Sequence, residues 1–149
     1  MLFRSQPQLT TITKTNHFIL SNMQNALTTL NPQIQIKGAS DITIHQHKIS
    51  GNAQKRKKQA LLFHGTILYN FDIDRIEQYL NFPPKQPEYR KSRSHTNFVT
   101  NLNEKATTIK QTISSQWNAK KPFKLETQSH QISSLVESKY ALDKWNLKK

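Results

Sequence analysis

Cysteine is missing altogether: none of the 149 residues carries a thiol. Disulfides, thiolate metal ligands and cysteine nucleophiles are therefore excluded from this stretch of chain, and a reducing compartment is permitted. Acidic side chains are scarce, nine Asp and Glu against 22 Lys and Arg, and none stands before Asp41. Glycine occurs three times, at Gly38, Gly51 and Gly65, never in adjacent positions. Aromatic residues make up 9%, with no Gly-Phe platform motif and no Cys-His finger of the kind that reads nucleic acid. No apolar run approaches the ~20 residues needed to cross a bilayer, and the N-terminus lacks the h-region and cleavage site of a secretory signal. The acid-free start with Arg4, Lys14 and Lys37 faintly resembles the composition of an organelle transit peptide, although Phe18 to Leu30 already reads as folded structure. The expectation is a cytoplasmic protein, with an organelle matrix left open.

What is abundant is positive charge. The formal net charge of +13 creates a field that attracts polyanions and acidic proteins. Two readings follow: a basic surface that binds nucleic acid, and a solvated surface around some other site. Without a recognition motif, the composition argues against specific nucleic-acid binding. The six histidines stand at no metal-ligand spacing, so no metal held by side chains is expected.

The length suits one domain, residues 1–149. Leu20, Met23, Ala26, Leu27 and Leu30 recur at helical spacing and predict an amphipathic helix over Phe18 to Leu30, ended by Asn31-Pro32. Alternation around Ile34 and Ile36, then Ile42 and Ile44, predicts two short strands. The apolar run Ala60 to Asn70 predicts a strand buried on both faces. Asp72 is positioned to cap a helix with Ile73, Ile76, Tyr79 and Leu80 as its buried face. Pro83-Pro84 opens a basic, proline-rich stretch that predicts an exposed loop. Ala106, Ile109, Ile113 and Trp117 mark another helix, Phe123 to Glu126 a strand, and Ile132 to Tyr140 a closing helix. The fold class is α+β, a mixed β-sheet covered by amphipathic helices.

The stretch HKISGNAQKRKK, His47 to Lys58, has two readings on its residues alone. In one, Ser50-Gly51 turns the chain and Lys48 is a surface charge. In the other, Gly51 lets backbone approach an anionic ligand while Lys48 neutralises a phosphate or polarises a carbonyl. His64-Gly65-Thr66 is likewise open: a histidine satisfied in the core, or a strand whose glycine admits a ligand.

Taken together, Asp41, Lys48-Ile49-Ser50-Gly51-Asn52-Ala53-Gln54, His64-Gly65-Thr66 and Arg93-Ser94-His95 to Val99-Thr100-Asn101-Leu102 resemble the lipoate-protein ligase family. Lys85 to Arg90 looks like one branch of it, and Lys139-Tyr140 with Trp145-Asn146 resembles the segment closing its catalytic domain. The resemblance implies activation of lipoate by ATP, assisted by Mg2+, to lipoyl-adenylate. The lipoyl group then passes to a lysine of an acceptor, the lipoyl domain of a 2-oxoacid dehydrogenase or a glycine cleavage H-type protein. It implies Lys48 as the catalytic lysine contacting acyl carbonyl and phosphate. Substrate contacts are implied at Asp41, Ser50, Gly51, Asn52, Ala53, His64, Gly65, Thr66, Arg90 and Arg93. Arg90, Lys91 and Arg93 would reach the nucleotide from a mobile loop, or else are solvated charges. Lys55 to Lys58 is a solvated patch or recruits an acidic acceptor domain.

Octanoyltransferases of the same superfamily carry the acyl group on a cysteine, which this chain lacks, and biotin protein ligases differ after Lys-Ile. The family's preceding half, with Arg-Arg and a triple-glycine turn, has no counterpart here. The chain is therefore expected to resemble the second half of a biotin/lipoate ligase-like catalytic domain, and three explanations stay open: a truncated or split gene, a fragment completing a separately encoded N-terminal half, or a stand-alone protein binding acyl-acceptor domains. The alternative is a non-catalytic basic protein binding nucleic acid or acyl-acceptor domains.

Overall fold

The computed structural model describes residues 6–58, 60–122 and 129–147. Helix α1, Ile12–Thr28, begins six residues before the apolar periodicity does, because the Thr11 side chain accepts the Lys14 amide at 3.1 Å and so satisfies one unpaired N–H of the first turn. A 3-10 turn, Pro7–Leu9, precedes it and buries Leu9. Strands β1, Ile34–Lys37, β2, Asp41–Ile44, β3, His47–Arg56, and β4, Leu61–Ile67, follow in the spatial order β1-β2-β3-β4, every neighbouring pair antiparallel. One isolated parallel bridge, Lys48 to Val99, joins a later segment to β3. The α+β architecture expected from the sequence is present.

Period-two alternation sorts the sheet into two faces. On one, Ile34, Ile42 and Ile49 join Leu20 and Leu27 of α1, Leu102, and Ile109 of α4, Ala106–Gln116, in a single buried cluster. Phe18 and Trp117 meet edge to face at 6.0 Å and seal the contact between α1 and α4. The other face carries Asp41, Gly51 and Thr66 in cross-strand register, then Ala53 opposite His64 and Lys55 opposite Leu62.

Several expectations need correction. HKISGNAQKR is no turn; it is the ten-residue central strand β3. Strand β4 lies at the end of the sheet order and is not buried on both faces, since Leu62 is 61% exposed and His64 is exposed as well. Helix α2, Asp74–Tyr79, buries no residue and Asp72 does not cap it; Asp72 instead pairs with Arg75 at 3.1 Å. The proline-rich stretch is built, not loose. It forms a 3-10 turn, Glu88–Arg90, and a short helix α3, His95–Phe98, and buries Arg90, His95 and Phe98. The predicted helix over Ala106 to Trp117 is α4. The strand expected at Phe123 to Glu126 lies outside the described residues. The closing helix is α5, Ser129–Leu135, running into a π turn, Val136–Tyr140, then α6, Asp143–Asn146, with Ile132, Leu135, Tyr140 and Trp145 exposed.

Candidate functional site

Strand β2 opens with Asp41 and β3 carries Lys48 just before an irregularity in the pairing, where Ile42 faces Ser50 and Thr43 faces Lys48. The extra residue, Ile49, is taken into the core, which turns the Lys48 side chain along the strand toward Asp41. Lys48 Nζ lies 2.7 Å from Asp41 Oδ1. The second carboxylate oxygen, Oδ2, accepts a hydrogen bond from the Tyr89 hydroxyl at 2.7 Å. Asp41 is 7% exposed, so the ammonium and the hydroxyl are the partners that offset the cost of burying its polar oxygens. Burial, reinforced by the hydrogen bond to Asp41 and its charge, raises the Tyr89 phenol well above its usual range, so it stays a donor.

Two glycines of the motifs make room for side chains of this chain. A Cβ on Gly51 would stand 3.0 Å from both Lys48 Cε and Nζ, so the bare glycine lets the lysine lie close across the strand. A Cβ on Gly65 would collide with the amide of Asn52, its register partner. Asn52 Nδ2 in turn donates to Ser40 O at 2.9 Å and Ser50 Oγ at 3.1 Å.

The recess over Lys48 has a volume of about 560 Å3; the Gly38 to Asp41 turn, Lys85, Gln86 and Tyr89 line it as well. Its outer wall, residues 85–93, is fixed by arginines. Arg93 donates to the carbonyls of Gln46 at 2.8 Å, Tyr89 at 2.9 Å, Arg90 at 2.9 Å and Asn97 at 3.2 Å. Arg90, 4% exposed, sits between the rings of Phe82 and Phe98, each 4.7 Å from its guanidinium carbon. Burial lowers its pKa, with Glu77 acting in the opposite direction. Lys91 and Ser92 both adopt left-handed backbone, φ 50° and 55°, at the tip of this wall.

The structure thus brings Lys48, Asp41, Gly51 and Thr66 together on one face and continues that face with Ala53 and His64. Alternation puts Ser50, Asn52 and Gly65 on the opposite face, where a second recess of about 380 Å3 opens toward Met23, Phe63 and Trp117. Arg90 and Arg93 hold the wall and do not project into the Lys48 recess as solvated charges. His64 is exposed, which removes the reading of a core histidine. Sequence reasoning missed Tyr89, whose only signal was a lone aromatic in a basic loop, and Leu62, which shares the exposed face with His64 by simple alternation. Among the described residues no group of three or more His, Asp or Glu could hold a metal ion. Asp41 has one partner on each oxygen, Lys48 on Oδ1 and Tyr89 on Oδ2.

The sequence model of the lipoyl protein ligase A/B catalytic domain matches residues 2–118. An octanoyltransferase LipM from Lysinibacillus sphaericus is 31% identical over 121 residues, 73% of this chain and 44% of its own length. A LipM from Bacillus cereus is 30% identical with the same coverage. The chain therefore spans less than half the length of these relatives. Among solved structures, a bi-partite lipoate protein ligase studied with its E2 lipoyl domain, from Thermoplasma acidophilum, superposes with a TM-score of 0.73 at 19% identity, covering 91% of this chain and 58% of that one. Lipoate-protein ligase A bound with ATP gives 0.67 at 20% identity, covering 91% and 59%. At such identities the likeness is one of fold.

Proposed function

Since the chain belongs to the lipoyl protein ligase A/B catalytic-domain family, we propose that it supplies the lysine-bearing part of a site that activates lipoate with ATP and transfers the lipoyl group to a lysine of an acceptor domain. The Lys48–Asp41 ion pair on the floor of an open recess carries this reading. An ammonium has three donors; one goes to Asp41 and the others are left for the recess. In the first step the lipoate carboxylate attacks the α-phosphorus of ATP, and pyrophosphate leaves with the electrons of the broken P–O bond. The charge developing on the phosphoryl oxygens is what Lys48 is placed to stabilise, as an electrostatic group and not as a base. In the second step the acceptor lysine amine attacks the acyl carbon, AMP leaves, and the same ammonium polarises the carbonyl. The open face of Ala53, Leu62, His64 and Thr66 offers the acyl chain a wall beside Lys48. Magnesium would arrive with the nucleotide phosphates, and none of these steps is routed through it.

The rest of the pocket, including a glycine turn for the phosphates, belongs to residues other than these 149, on the same or a separate chain. The T. acidophilum ligase is bi-partite, which supports a two-part arrangement. The lipoyl domain named with it supports a 2-oxoacid dehydrogenase acceptor. A second reading, octanoyl transfer, is favoured by the names of the curated relatives. It would need a carrier thiol from outside this stretch, which has no cysteine.

Lipoate-dependent pyrophosphate release from ATP, measured on the completed assembly, tests the first reading. Transfer from octanoyl-carrier protein without ATP tests the second. Activity only in the latter assay would replace the ligase reading with the transferase one.

A further inference from the structure

The carboxylate of Asp41 is bound at both ends by side chains from different parts of the chain. Lys48 approaches Oδ1 from the neighbouring strand, and Tyr89 donates to Oδ2 from a segment 48 positions away. The Tyr89 ring is itself fixed: it tilts against Phe98 at 5.3 Å, and the bare face of Gly38, φ 59°, would bring a Cβ to 3.6 Å from it. A carboxylate with one strong partner can rotate and offer both oxygens to the ammonium; one clamped on Oδ2 offers Oδ1 alone.

We propose that Tyr89 is a positioning residue: by fixing Asp41 through Oδ2 it holds the Lys48 ammonium on a single oxygen, with its remaining donors turned into the recess. This rests on the ligase reading of the same site. The wall of residues 85–93 is thereby coupled to the lysine, since displacing the wall withdraws the hydroxyl from Asp41. When that happens the ammonium is drawn onto the carboxylate and presents fewer donors to the reacting oxygens.

Tyr89→Phe isolates the effect, because it keeps the ring against Phe98 and removes only the hydroxyl. In the completed assembly its kcat for pyrophosphate release should fall roughly tenfold, as expected for one hydrogen bond to a charged group, with KM for ATP unchanged. In an Asp41→Asn background the same change should add little, since the two residues act as one unit. A readout that needs no turnover is the Lys48 13Cε resonance of this chain, assigned by its loss in Lys48→Arg. Tyr89→Phe should move it while leaving other lysines in place. An unmoved resonance, or normal kcat in Tyr89→Phe, would overturn the positioning role and leave the ligase reading intact. A wild-type assembly that releases no pyrophosphate with lipoate would sink the ligase reading and this inference with it.

Discussion

At Lys48 the position of a charge lining the recess depends on how little side chain its neighbour Gly51 carries. Lys48→Ala should cost on the order of a hundredfold in the adenylation rate, the effect typical of losing an electrostatic donor, and should also lower the thermal midpoint, because the buried Asp41 carboxylate loses its ammonium partner. Gly65→Ala acts differently, because the new methyl collides with Asn52 and disturbs its bond to Ser40. It should lower stability by about 1–3 kcal/mol in urea unfolding. Tyr89 gives a pH signature. Its phenol pKa is raised on folding, so its contribution to stability is complete below the unfolded value of about 10 and is lost as pH rises toward the folded one. Alkaline titration of the urea midpoint should therefore fall more steeply in wild type than in Tyr89→Phe. The lysine motif was legible as a lysine motif in sequence. Its geometry was not, because alternation separates Ser50 and Asn52 from Gly51, and Tyr89 reaches Asp41 only through the fold.

Among the elements, those with internal periodicity were readable and those depending on remote partners were not. Helix α4 and the strands around Ile34 and Ile42 came out as expected, since apolar spacing alone specifies them. The first turns of α1, ITKTNH, carry no apolar stripe and are held by the Thr11 cap and by Arg56. Arg56, counted in sequence as part of a solvated basic patch, donates to Leu9 O at 2.8 Å, Thr10 O at 3.1 Å and Thr15 Oγ1 at 3.0 Å. Arg56→Ala should destabilise the chain by about 1–3 kcal/mol, since those acceptors lose their partner, with the loss visible in urea midpoints. Lys55 near the end of β3, and Lys57 and Lys58 just after it, are exposed and differ in kind from Arg56. Changing these three to Ala should weaken binding of an acidic acceptor domain and flatten its salt dependence, with adenylation untouched. The triple variant and Lys48→Ala thus separate recruitment from chemistry.

For the whole molecule, the net charge of +13 predicts weak RNA binding that disappears near physiological salt, measurable as a steep fall of affinity with added salt. Sequence-selective binding surviving there would favour the basic-binder alternative. No helix among the described residues is long and apolar enough to cross a membrane. The order β1-β2-β3-β4 pairs each strand with its neighbour in sequence, and that has a kinetic meaning. A meander closes only short loops, so its contact order is low and it can assemble early. Asp41 and Lys48 then meet while the hairpin forms, whereas the Tyr89 bond spans 48 positions and waits for a much longer closure. Pulse-labelled hydrogen exchange during refolding should protect the amides of β2 and β3 before those of residues 88–98. The lysine of this site is therefore paired first and clamped last.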